Sequence, residues 1–131
     1  MNPTRQIKLR WLHGTLGDVS VTRVQLWGGA PRAWQPPVNA FRCERGVRIC
    51  VDLAGVEKSA IDLTVEPRRV VLRGTRNAPE PTSERAVQVL ALEIDYGAFE
   101  REIDLPIEID VGRVHAEQEN GLLWITLPVG Q

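Results

Sequence analysis

The chain has 131 residues, enough for one domain with an ordinary core and flanking segments. Its net charge of −1 offers no electrostatic footprint for nucleic acid or for an anionic membrane surface. No apolar run reaches the length of a membrane span and the first residues lack the layout of a secretion signal, so the cytoplasm is the expected location.

Residues 1–33 form an arm distinct from the rest. Arg5, Lys8, Arg10, Arg23 and Arg32 face only Asp18, a local net charge of +4 that leaves −5 on the remainder. Ile7, Leu9 and Trp11 alternate, as do Val19 and Val21, but Gly14 and Gly17 interrupt, so the pattern selects neither helix nor strand. With Leu26 and Trp27 added, the arm is too apolar for a solvated tail and is expected to dock on a surface. Gly28-Gly29-Ala30-Pro31 then separates it from the strand-rich remainder of the chain.

From Val38 onward short strands alternate with turn chemistry. Residues 38–44 and 47–53 read as a hairpin joined at Arg45-Gly46. Ile61, Leu63 and Val65 alternate, Pro67-Arg68 turns the chain, and Val70 and Leu72 alternate again up to Gly74. Residues 75–86 are polar, hold two prolines and read as an exposed loop. Residues 87–95 read as extended, with Leu90, Leu92 and Ile94 in one apolar stripe, and 98–105 as another strand after Tyr96-Gly97. Residues 114–119 and 122–127 form a last hairpin around Asn120-Gly121, a pair that tolerates the positive φ of a type I′ turn. In its second strand Leu123, Ile125 and Leu127 point one way, and Trp124 and Thr126 the other. Strands this short and regularly spaced, with no long helical period, predict an all-β fold of β-sandwich type.

Catalytic chemistry finds no foothold. Cys43 and Cys50 are the only cysteines; their spacing matches no zinc or redox pattern, and free thiols or a disulfide both stay open. His13 and His115 are far apart and neither neighbours a pattern naming a nucleophile or metal partner. Glu100, Glu102 and Asp104 project from one strand face, which reads as solvated charge rather than a paired-carboxylate site. No GxxxxGK[ST] phosphate loop occurs. Neither an enzyme, a cofactor nor a metal is expected.

Four marks stand in fixed order: WQPP at 34–37, VDLAGVEKSAIDLTVE at 51–66 with VVLRGTR at 70–76, YGAFEREIDLP at 96–106, and AEQENGLLWITLP at 116–128. Together they resemble the α-crystallin domain of small heat-shock proteins, in its bacterial and plant form, over residues 34–128. The resemblance implies an immunoglobulin-like sandwich, dimers made by strand exchange, and ATP-independent holdase activity. Such chaperones capture unfolding client proteins and pass them to ATP-driven refolding chaperones. A co-chaperone or adaptor resembling p23, binding a defined folded partner, is the alternative; its fold normally lacks the long 75–97 region.

The resemblance also assigns residues. Arg101 shares a face with Phe99, Ile103 and Leu105, and matches an arginine that bonds acidic groups at the dimer interface. Leu90, Leu92 and Ile94 lie on the exchanged strand, which would pair with a partner's edge at Val38 to Phe41. Packing on its own sandwich is the other reading of that strand. The family's tail bears an Ile-x-Ile plug for a groove walled by Ile61, Leu63 and Val65 and by the last strand with Trp124 and Thr126. Here residues 129–131 carry no such motif, and Ile107-Glu108-Ile109 falls in a loop position and reads as a decoy. The resemblance then implies a dimer, with larger oligomers only if the arm supplies the contact. Clients are expected on Ile7, Leu9, Trp11, Leu26 and Trp27 of the arm and on the groove, which Trp124 covers or offers to the arm or a client.

Overall fold

A computed structural model describes residues 4–8, 33–79 and 88–130. Eight strands make up two antiparallel sheets, and apart from two three-residue 3-10 turns, Lys58–Ala60 and Val111–Arg113, the described residues hold no helix. The strands are β1 (Arg5–Lys8), β2 (Val38–Cys43), β3 (Gly46–Asp52), β4 (Ile61–Glu66), β5 (Arg69–Arg76), β6 (Gly97–Asp104), β7 (His115–Glu119) and β8 (Leu122–Pro128). One sheet runs β1-β4-β5-β6 and the other β2-β3-β8-β7, so the expected sandwich is what forms.

Alternation builds the core. Ile61, Leu63 and Val65 of β4, Val70 and Leu72 of β5, Ile49 and Val51 of β3, and Leu123, Ile125 and Leu127 of β8 are fully buried between the sheets. No polar or charged residue is buried among the described residues. Each of these apolar side chains stabilises the fold by roughly 1.5–3 kcal/mol through removal from water.

Turn chemistry sets the register. Asn120 (φ 52°) and Gly121 (φ 80°) take the left-handed conformations that a type I′ hairpin needs between β7 and β8. The first hairpin differs from expectation by one residue: the turn is Glu44-Arg45, and Gly46 already belongs to β3, opposite Cys43. Gly46 is needed there for space, because a Cβ would strike the Leu127 carbonyl and the Pro128 backbone on β8. The expected loop likewise starts later, since β5 continues to Arg76.

The arm is not structureless at its start. Arg5–Lys8 adds to the β4 edge in antiparallel register, with Ile7 opposite Leu63. Leu9, Trp11, His13, Leu26 and Trp27 lie outside the described residues, as do residues 80–87.

Candidate functional site: a closed edge beside an open one

Four edges bound the sandwich, and the chain treats them differently. The β4 edge is covered by β1. The β7 edge has His115, Glu117 and Glu119 exposed along it, and charge of this kind deters a second chain.

The β6 edge is closed by the WQPP segment. The Trp34 backbone N–H donates to the Ala98 carbonyl at 3.1 Å and its carbonyl accepts from the Glu100 N–H at 3.0 Å, so Trp34 acts as one residue of an extra strand. Its indole N–H donates to the Gly97 carbonyl at 3.2 Å, and its ring lies 5.4 Å from that of Phe99, tilted by 59°. The Pro36 carbonyl accepts from Arg101 at 3.1 Å and the Pro37 carbonyl from the Asp52 N–H at 3.0 Å, which ties this strap to both sheets. Beneath it Phe99 sits opposite Gly74, where any Cβ would meet both the Phe99 ring and the Ala60 carbonyl.

The β2 edge lies beside it, because the strap runs straight from β6 into β2, and no backbone group in the described residues pairs with its outer side. From Asn39 to Cys43 every residue is exposed, Phe41 to 50%. Val38 is half-buried against the core. A second exposed apolar element belongs to the same chain. Residues 88–95 join no sheet; Val89, Leu92 and Ile94 are more than half exposed and Leu90 is 89% exposed. The extended stretch expected there is therefore unpaired within one chain, and its apolar stripe stands in water.

The remaining predicted residues separate into distinct surroundings. Arg101 is half-buried on the side of β6 that it shares with Phe99, and within its own chain it donates to the Pro36 carbonyl. The acids on the opposite side are paired: Glu100 accepts from Arg73 at 3.0 Å and Glu102 from Arg69 at 3.4 Å. A hydrogen bond from Arg69 to Glu66, with the charges of Glu66 and Glu102, pushes the Arg69 guanidinium further up. Pairs this exposed are screened by solvent and add little to stability.

Trp124 and Thr126 do not line a groove with Ile61, Leu63 and Val65. Those three point into the core, whereas Trp124 and Thr126 lie on the outer side of the other sheet. β8 is also an inner strand, flanked by β3 and β7, so β7 forms the border. Trp124 is paired with Cys50 and Glu117 across the sheet and stacked beneath Arg48, whose guanidinium carbon is 4.4 Å from the ring centroid. Cys43 and Cys50 are both free thiols, four residues apart along the β2–β3 ladder or roughly 13 Å, beyond disulfide reach within one chain. Burial, and then the Asp52 charge, pushes the Cys50 thiol up, with Arg48 opposing. Ile107 is half-buried and Ile109 buried in the core, joined by a bridge to Val129, so the Ile-x-Ile in that loop is structural.

Trp34 and Arg76 carry more of this region than sequence patterns assign to them. In sequence WQPP is only a landmark, yet its two prolines lack the N–H groups that would continue the ladder Trp34 begins on β6.

Comparison with known proteins fits this geometry. The model of the Hsp20/alpha crystallin family matches residues 40–131. An 18 kDa antigen 1 from Mycobacterium avium is 29% identical over 107 residues, covering 82% of this chain and 70% of that protein. The small heat shock protein C2 of Rickettsia felis is 29% identical over 93 residues, covering 71% and 59%. Among solved structures, heat shock protein 16.0 from Schizosaccharomyces pombe superposes with a TM-score of 0.65 at 26% identity, over 72% of this chain and 86% of that one. The hspA structure from Xanthomonas axonopodis gives 0.64 at 26% identity, over 75% and 96%. The fold is thus an α-crystallin-type β-sandwich. The chain belongs to the Hsp20/alpha crystallin family, the small heat-shock proteins, which are chaperones that work without ATP.

Proposed function

We propose that this protein is an ATP-independent holdase that works as a homodimer, each chain laying its 88–95 segment along the β2 edge of the other. The observation that carries this reading is the pairing of two deficits in one chain. An edge strand lacks a hydrogen-bonding neighbour, and a nearby segment lacks both backbone partners and cover for Val89, Leu90, Leu92 and Ile94. Each supplies what the other lacks, and a reciprocal, two-fold exchange closes both at once. With β4 covered by β1, β6 by the strap and β7 lined with charge, β2 is an edge open to an added strand.

Client capture then falls to residues 1–33, with residues 34–128 as the α-crystallin domain. In support, β1 pairs with β4, the edge that the family resemblance assigns to a tail motif. We read the start of the arm as the occupant of its own β4 edge, with Leu9, Trp11, Leu26 and Trp27 available to unfolding proteins in the cytoplasm. Captured clients would be handed on to ATP-driven chaperones. Binding obeys mass action on exposed apolar surface.

The test is light scattering from a heated or reduced model client, with no ATP, across increasing amounts of the protein. Suppression at near-equal chain ratios is expected, lowered when residues 1–33 are deleted. Scattering unchanged over a wide excess of the full chain would overturn the holdase reading. Unaltered suppression after the deletion would move client binding onto the sandwich.

A further inference from the structure

The long excursion from β5 to β6 begins and ends at one residue pair. Arg76, the last residue of β5, lies opposite Gly97, the first of β6, so the intervening residues 77–96 leave and return through a single neck. The Arg76 side chain crosses that neck. Its Nε and Nη2 both donate to the Asp95 carbonyl, at 2.9 and 2.6 Å, and its Nη1 donates to the Ala54 carbonyl at 3.0 Å. Its guanidinium carbon lies 4.3 Å from the centroid of the Trp34 ring and 5.5 Å from that of Tyr96. Trp34 in turn holds the Gly97 carbonyl through its indole N–H.

Two features set this apart from an ordinary surface arginine. The planar fork is directed at main-chain carbonyls, so it fixes where the backbone goes and not merely where a charge sits. Its partners also come from three separate places: the strap, the loop before β4, and the end of the 88–95 segment. Arg76 therefore joins the apolar segment's root to the rigid sandwich, while Leu92 and Ile94 stand just outside the joint.

We propose that Arg76 is the clamp that sets the direction in which residues 88–95 leave the sandwich, and so acts as a positioning residue for association of two chains. This rests on the strand-exchange reading. A root fixed before association removes part of the ordering that the segment undergoes on meeting its partner's edge. Without the clamp, Asp95 is no longer held to the sandwich by Arg76 and the segment is expected to sample many exit directions.

The experiment uses the full chain carrying Arg76→Met, which keeps the length and apolar stem but removes every donor, and Arg76→Lys, which keeps the charge but gathers its donors on one nitrogen and loses the planar fork. Each is made alone and together with Leu92→Asp, which is expected to give a monomer. Backbone order parameters at Asp95 and Tyr96 in the monomeric background read the clamp itself. They are expected to match the sandwich with Arg76 present and to fall to loop values in Arg76→Met. Sedimentation equilibrium reads association. Arg76→Met is expected to weaken the dimer about tenfold or more, about 1.4 kcal/mol for each tenfold, with Arg76→Lys between it and the unaltered chain. Melting of the Leu92→Asp monomers shows whether the sandwich itself has lost stability. The proposal is overturned if the order parameters do not move, if they fall while the dimer constant stays the same, or if the dimer weakens only in step with the melt. An unaltered chain that sediments as a monomer overturns strand exchange instead, and with it the role of Arg76 in association, while the order parameters still report whether the neck is clamped.

Discussion

The β6 and β2 edges lie side by side, yet one is sealed and the other bare. Over β6, Trp34 supplies two backbone hydrogen bonds, an indole donor and a ring for Phe99, and Pro36 supplies the carbonyl for Arg101. Over β2 nothing in the described residues supplies any of these, and Phe41 stands half exposed. A chain that seals one edge with this many contacts and leaves its neighbour open has a use for the open one. The contrast also separates energies: changes at the sealed edge fall on folding, and changes at the open edge fall on association.

The largest effect is expected beneath the seal. Phe99→Ala removes a fully buried ring and uncovers Gly74, and is expected to lower unfolding free energy by about 3–5 kcal/mol in denaturant melts. Trp34→Ala strips the strap from a half-buried position and is expected to cost about 2–3 kcal/mol, below the value for a fully buried aromatic. It also opens β6 as a second edge, so self-association at high concentration is expected to rise. Across the boundary, Leu92→Asp is expected to leave the monomer's stability within about 0.5 kcal/mol, because the side chain is already exposed. Its effect is to convert dimer to monomer on sedimentation, and a dimer that persists unchanged counts against exchange through this segment. On the outer face, Arg48→Ala removes the cation above Trp124 and is expected to cost only about 0.5–1 kcal/mol.

The two cysteines give the smallest and cheapest comparison. Cys43 is exposed at the end of the open edge and Cys50 is buried one strand in, with its thiol pushed up by burial. Native protein is expected to alkylate rapidly at Cys43 and at Cys50 only on unfolding, read by intact mass. A raised folded value favours the folded state below the ordinary cysteine range, a contribution lost as pH climbs through the folded value. Equal labelling rates in the native protein would show that β3 is not covered as described.

Much of the sandwich was legible because its strands obey a period of two over residues that have to be buried. Ile61, Leu63 and Val65, or Leu123, Ile125 and Leu127, admit no other facing, and Asn120-Gly121 fixes a register by φ alone. The departures share a physical cause. Gly46 reads as a turn residue by composition, but its position answers to the Leu127 carbonyl on a strand some eighty residues away, which no local pattern carries. Trp124 faces outward as the alternation says; what the alternation cannot say is that β7, and not β8, is the border, because strand order is a property of the sheet. The bond from Arg101 to the Pro36 carbonyl could not be read from sequence, because a backbone carbonyl is offered by every residue alike. The same limitation hid Arg76, whose hydrogen bonds run to main-chain carbonyls.

One measurement goes straight to the open edge. A dimer is assembled from equal amounts of a chain carrying labelled Val, Leu and Ile methyls and a chain labelled only at backbone nitrogen, and nuclear Overhauser contacts between the two labels are recorded. Contacts from the Leu92 and Ile94 methyls of one chain to the Val38–Cys43 amides of the other are expected. A mixed dimer whose methyls reach only amides elsewhere, or none in the second chain, would contradict strand exchange at β2.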